Sequence, residues 1–274
     1  MRERVQPDGR RLGWREAGQG APALFLHCML GRSAAWTGVI AELGDRLAIS
    51  APDLPGHGRT EHDPARSVQE QALADARSLL GGAGRTHVVG HSFGGAVALR
   101  LAVEAPEAVA SLTLIEPVLF ALLAGGDPAA HAAEAAAAAP ARARMAAGDW
   151  PGAAEAFLAR WSAVPLGGLS PERAAEMIAG MPLVAAGEAD IVEPATARPR
   201  ADEIAAIAAP VLLIDGACSP PSIAAILDRL AALLPAARRV TVPGAGHMLP
   251  ITHAGAVSGA LRDFLAAGGG DRVG

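Results

Sequence analysis

No lysine, no asparagine and no tyrosine occurs in these 274 residues, so all 23 basic side chains are arginines. Without a lysine ammonium, Schiff-base catalysis and the P-loop are both excluded. Without asparagine there is no acceptor for an N-linked glycan. The arginine, alanine and glycine standing in for lysine and asparagine are read as the mark of a GC-rich genome, with no functional content. Cysteine is nearly absent too: Cys28 and Cys218 are the pair, both in or beside apolar segments, which favours two thiols over a disulfide. Charge of one sign never accumulates, and the formal net charge is -5. A nucleic-acid or anionic-membrane partner would need a basic patch, so neither is expected. The first residues, MRERVQPDGRR, contain no apolar stretch, and no apolar run is long enough to cross a bilayer. A soluble, cytoplasmic protein is the expectation.

What is present is material for a large core: 51% hydrophobic against 19% charged residues. Short apolar runs alternate with amphipathic helical patterns. ALFLHC from Ala23, LAISAPD from Leu47, HVVGHS from His87, SLTLIEP from Ser111, VLLIDG from Val211 and RVTVPGAGH from Arg239 read as strands. Most lack polar alternation, as strands do when helices cover both faces of a mainly parallel sheet. A hairpin turning at Asp8-Gly9 is expected before them. Ile223, Ile226, Leu227, Leu230, Leu233 and Leu234 fall on one helical face, as do Val257, Leu261, Phe264 and Leu265, and both stripes are read as core.

One stretch breaks the alternation. Residues 118–209 contain no convincing strand, only alanine-rich helix punctuated by proline and glycine. Asp149 and Ser170 have the character of helix N-caps, the second with Pro171 just inside. Trp150, Ala154, Phe157, Leu158 and Trp161 form an apolar stripe. The pattern predicts a core built from residues 1–117 and 210–274, with residues 118–209 inserted as a helical lid or cap. The glycine-rich tail after Ala267 is expected to fray.

The strongest chemical signal is Gly90-His91-Ser92-Phe93-Gly94. It follows an apolar strand and precedes a helix expected over Phe93–Glu104. That is the context of a nucleophile elbow, a sharp turn that presents a serine hydroxyl and needs glycine where side chains would collide. The helix N-terminus behind Ser92 offers free N–H groups to an oxyanion. His247, in Pro243-Gly244-Ala245-Gly246-His247 after the last strand, is the candidate general base, since imidazole titrates near neutrality.

With these residues in view, the chain resembles the α/β-hydrolase-fold superfamily over nearly its whole length. The matching blocks are FLHCMLGRSAAW, APDLPGHGRT, VVGHSFGGAVALRLA, LTLIEP, PVLLIDGACSPP and VPGAGHMLPITH. The resemblance implies a serine hydrolase acting through an acyl-enzyme, with the backbone N–H groups of Met29 and Phe93 as the oxyanion hole. Cys28 stands where the family generally has glycine, which a backbone donor tolerates. A serine nucleophile and the lack of tyrosine speak against the dehalogenase and epoxide-hydrolase branches.

The chain departs from the family at the acid. That residue is commonly an Asp three places past the glycine of VLLIDG, where this chain has Ser219. Two carboxylates could replace it. Glu116, closing the strand LTLIEP, is favoured, because a carboxylate there would be costly to bury without a partner and a histidine is a fitting one. It could instead pair with an arginine beneath the lid. Asp215 is the alternative acid. His27 and His91 are expected to brace the oxyanion loop and the elbow, and His57 and Asp53 to hold the LPGHG turn. No metal or organic cofactor is implied. The expected substrate is a small, largely apolar molecule with an ester, lactone or thioester bond. Carbon–carbon bond hydrolysis, or ligand binding without catalysis, are the alternatives.

Overall fold

Eight strands form one sheet in the order β1-β2-β4-β3-β5-β6-β7-β8. They are β1 (Arg2–Val5), β2 (Arg11–Ala17), β3 (Ala21–Leu26), β4 (Leu47–Pro52), β5 (Thr86–His91), β6 (Val109–Ile115), β7 (Val211–Gly216) and β8 (Arg238–Val242). The first two make the expected hairpin, with Gly9 at φ +86° in its turn. From β4 to β8 every neighbouring pair is parallel, while β2 meets β4 antiparallel. This is a computed structural model that describes residues 1–80 and 84–268. The glycine-rich tail lies, from residue 269 on, outside the described residues.

The unbroken apolar strands have the reason expected of them. Leu112 and Leu114 of β6 and Leu213 of β7 point into one core cluster, while Ile115, Leu212 and Ile214 point into another on the opposite face. The helices α1 (Thr37–Leu43), α2 (Val68–Ser78) and α3 (Phe93–Glu104) follow strands β3, β4 and β5. Helices α2 and α3 cover the first face, and α1 covers the second.

Between β6 and β7 the described chain forms helices and no strand. These are α4 (Ala121–Ala124), α5 (Pro128–Ala146), α6 (Trp150–Trp161), α7 (Pro171–Val192) and α8 (Ala201–Ala205). Asp149 caps α6 by accepting from the Gly152 N–H, and Ser170 caps α7 by accepting from Arg173 N–H, satisfying donors that a helix start leaves free. This helical segment has a small cluster of its own, Met145, Ala153, Ala154, Leu158, Met177, Met181 and Val184, which reaches the sheet side through Leu30. The chain then returns through α9 (Pro221–Leu233), α10 (Leu249–Thr252) and α11 (Ala254–Gly268); the stripes expected in α9 and α11 are buried, apart from Leu233 and Leu265, which are partly buried.

Candidate active site

Ser92 directly follows β5, in the turn that opens α3. Its backbone has φ +56° and ψ -120°, a strained geometry for a residue with a Cβ. Two glycines let the turn close. A Cβ on Gly90 would sit 2.3 Å from the Gly94 carbonyl oxygen, and one on Gly94 would sit 2.3 Å from that of Leu26. Among the described residues, the other non-glycine residues with positive φ are Leu30 and Glu116, and both border the same site. Strain of this kind persists only where the surroundings hold it.

The three candidate residues meet in one hydrogen-bonded line. His247 Nε2 lies 3.0 Å from Ser92 Oγ, and His247 Nδ1 lies 2.5 Å from Glu116 Oε2. With the ring proton on Nδ1 donated to Glu116, Nε2 is free to accept from the serine hydroxyl. Glu116 is fully buried, so an unpartnered carboxylate there would be expensive. Its other oxygen, Oε1, accepts from the Gly216 N–H at 2.7 Å and from the Ser219 hydroxyl by a short hydrogen bond. Ser219, read from sequence as a lost acid, thus supports the carboxylate that reaches the histidine. Asp215 is not brought there: it accepts from Arg239 and from Thr241 Oγ1, both at 2.8 Å, across β7 and β8.

The loop after β3 forms the opposite lip. His27 donates from Nδ1 to the Cys28 carbonyl and accepts at Nε2 from the Leu54 N–H; His57 donates to the Pro55 carbonyl and accepts from the Leu30 N–H. Both rings are neutral in this arrangement. Burial holds His27 well below the usual histidine range and takes His57 down to about 4. Asp53 accepts from the Ser33 and Arg59 N–H groups, tying the LPGHG turn to this loop. Cys28 is a buried thiol pushed up to about 11 by that burial, a poor nucleophile, while Cys218 is free and exposed. The Met29 and Phe93 N–H groups carry no hydrogen bond among the described residues, and both residues border the same space as Ser92. His91, kept neutral by burial, donates to the His247 carbonyl at 2.8 Å.

That space is a cavity of about 340 Å³ walled by apolar side chains including Met29, Val118, Phe120, Phe157, Val184 and Ile191. A further pocket of about 630 Å³ adjoins it at Phe157 and Trp161 and spreads over the loop holding Leu30 and Arg32. Trp161, on the apolar stripe expected in the lid, packs against the core and lines this cavity; its ring lies against that of His247, with centroids 4.6 Å apart, and Arg160 stands over its face at 4.5 Å. Sequence reading also missed four charged groups lining the cavity, Glu134, Arg142, Arg160 and Glu188. Each sits on a helix rich in alanine or punctuated by glycine and proline, where nothing in the local pattern marks the inward side. Among the described residues no group of three or more His, Cys, Asp or Glu side chains could hold a metal ion, and no helix is long and apolar enough to cross a membrane.

A mostly parallel sheet with a strained serine at a strand-to-helix turn, and a histidine after its last strand, defines a class of fold and site. The chain belongs to the alpha/beta hydrolase family, whose pattern it matches over residues 23–260. It is 38% identical over 116 residues to a dihydrolipoyllysine-residue acetyltransferase component of the acetoin cleaving system from Cupriavidus necator, covering 41% of this chain and 31% of that one. It is 38% identical over 98 residues to a pimeloyl-[acyl-carrier protein] methyl ester esterase from Nitrosomonas europaea, covering 36% and 38%. The chain thus spans about a third of the length of these relatives. A crystal structure of a hydrolase from Pseudomonas aeruginosa superposes with a TM-score of 0.76 at 24% identity, covering 96% of this chain and 97% of that one, a likeness of fold alone.

Proposed function

We propose that the protein is a serine hydrolase that cleaves an ester-type bond (ester, lactone or thioester) of a small, largely apolar substrate through an acyl-enzyme. The observation that carries this reading is the line Ser92–His247–Glu116 opening onto an apolar cavity. Ser92 Oγ attacks the carbonyl carbon as His247 Nε2 takes its proton. Glu116 holds the imidazole in the required tautomer and stabilises the imidazolium that forms. The Met29 and Phe93 N–H groups receive the developing oxyanion. His247 then returns the proton to the leaving group, and later activates the water that hydrolyses the acyl-enzyme. At about 340 Å³ the cavity sits near the low end of the roughly 300–1,000 Å³ usual for small-ligand sites, which supports a small substrate.

A fluorophosphonate probe tests this directly. Wild-type protein is expected to take up one label, located on Ser92 by peptide mass spectrometry, and Ser92→Ala to take up none. The wild type is also expected to hydrolyse members of an ester, lactone and thioester panel. Folded protein that neither labels nor hydrolyses would sink the reading, and co-purified ligand would then be sought by native mass spectrometry.

A further inference from the structure

Four charged side chains line the otherwise apolar cavity beside Ser92, and they form two ion pairs that differ in exposure. Arg160 directs one terminal nitrogen, Nη2, to Glu134 and to Ser222 Oγ at 3.4 Å and lies over the Trp161 ring, and this pair is the more buried, 16% and 3% exposed. Arg142 on α5 gives its Nε–H to Glu188 Oε1 on α7 at 2.9 Å. Among the described residues, neither terminal nitrogen of its guanidinium has a protein partner, and nor does the second oxygen of Glu188. Each side chain is only about 30% exposed (29% and 31%). Both residues line the cavity, which brings to its wall an arginine and a glutamate that each keep hydrogen-bonding capacity.

We propose that Arg142 and Glu188 form a binding site for a neutral carboxamide on the substrate, separate from the carbonyl that Ser92 attacks; this rests on the serine-hydrolase reading. An amide carbonyl accepts from the free Arg142 nitrogens while its N–H donates to the free Glu188 oxygen. The charges of the pair cancel, and this selects against ions. A substrate carboxylate is attracted by Arg142 and repelled by Glu188, and an ammonium the reverse, so neither ion gains net attraction from the pair. A plain alkyl chain would displace water from both groups and give no hydrogen bond back, which binding sites of this kind penalise.

The test uses methyl esters of straight-chain acids, compared with esters of equal length in which a carboxamide replaces two chain atoms and is stepped along the chain. With wild-type enzyme, one amide position is expected to exceed the alkyl ester in kcat/KM by about tenfold or more, the effect of one hydrogen bond to a charged group. Arg142→Met is expected to bring that ratio close to one. Glu188→Gln leaves Arg142 uncompensated and is expected to raise activity toward the equal-length ester ending in a carboxylate, a gain that a merely damaged protein would not give. Arg144→Gln, on the same helix but outside the cavity, should keep the wild-type ratio. Ester hydrolysis with no preference for any amide position, or a preference that survives Arg142→Met, overturns this inference and leaves the hydrolase reading standing. Folded wild type that hydrolyses none of the esters overturns both.

Discussion

The two walls of the cavity are held by different means. On one wall stand Met29, Ser92 and His247, with Glu116 buried behind the histidine, and each follows the C-terminal end of a parallel strand, where ligand sites of open α/β sheets gather. They are fixed by backbone: Ser92 and Glu116 have positive φ, as does Leu30 beside Met29, and neutral histidines pin the loops around them. The other wall comes from α5, α6 and α7, which meet through a small cluster and side-chain ion pairs. Reacting groups demand placement within a fraction of an ångström, which a packed sheet supplies, whereas a helical wall can change its lining without disturbing the strands.

Substitutions at the carboxylates would break this comparison most severely. Glu116→Gln removes the charge that sets the His247 tautomer, and kcat is expected to fall by about 10,000-fold. Asp215→Asn, one strand over, is expected to leave kcat within a few-fold. Steady-state kinetics on any substrate found by the panel decides, and the reverse ranking would move the acid to Asp215. A smaller effect should appear in stability. Buried His57 resists protonation down to about 4, against an ordinary value of 6.5, and buried His27 is lowered in the same direction. The unfolded chain binds these protons first. The contribution of these two rings should therefore be level above pH 6.5 and fall as pH drops toward 4, by up to about 1.4 kcal/mol per unit for each ring. Urea melts across that range check it, and His57→Gln should flatten the slope.

Ser219→Ala leaves Glu116 Oε1 with the Gly216 N–H alone, and kcat should drop about tenfold with KM little changed. A loss confined to KM would mean that Ser219 meets substrate instead. The smallest effect is expected between the two walls at the surface. Arg32 and Glu176 are each about half exposed (46% and 49%) and bridge the β3 loop to α7. Arg32→Gln should cost no more than about 0.5 kcal/mol in the same urea melts.

The sheet wall was legible in the sequence because its constraints are local. A turn that must place a serine between a strand and a helix needs glycine at 90 and 94, and apolar strands covered on both faces show no alternation. Glu116 was legible because a carboxylate at the end of LTLIEP is costly without a partner. The support from Ser219 was hidden, since it depends on a contact 103 residues away in sequence. The inward sides of α5, α6 and α7 were hidden for another reason. Alanine adds little to either face of a helix, so periodicity could show that α5 is helical but not which of its charges turn toward Ser92.

The hydrogen bond from Ser219 to Glu116 also bears on how such a site can change over generations. A single Ser219→Asp step would bring a second carboxylate against the first, around one imidazole. Like charges at that distance do not both stay ionised, and one would take up a proton. The two positions are therefore coupled. Moving the acid from 116 to 219 by single substitutions passes through a form with either two acids or none.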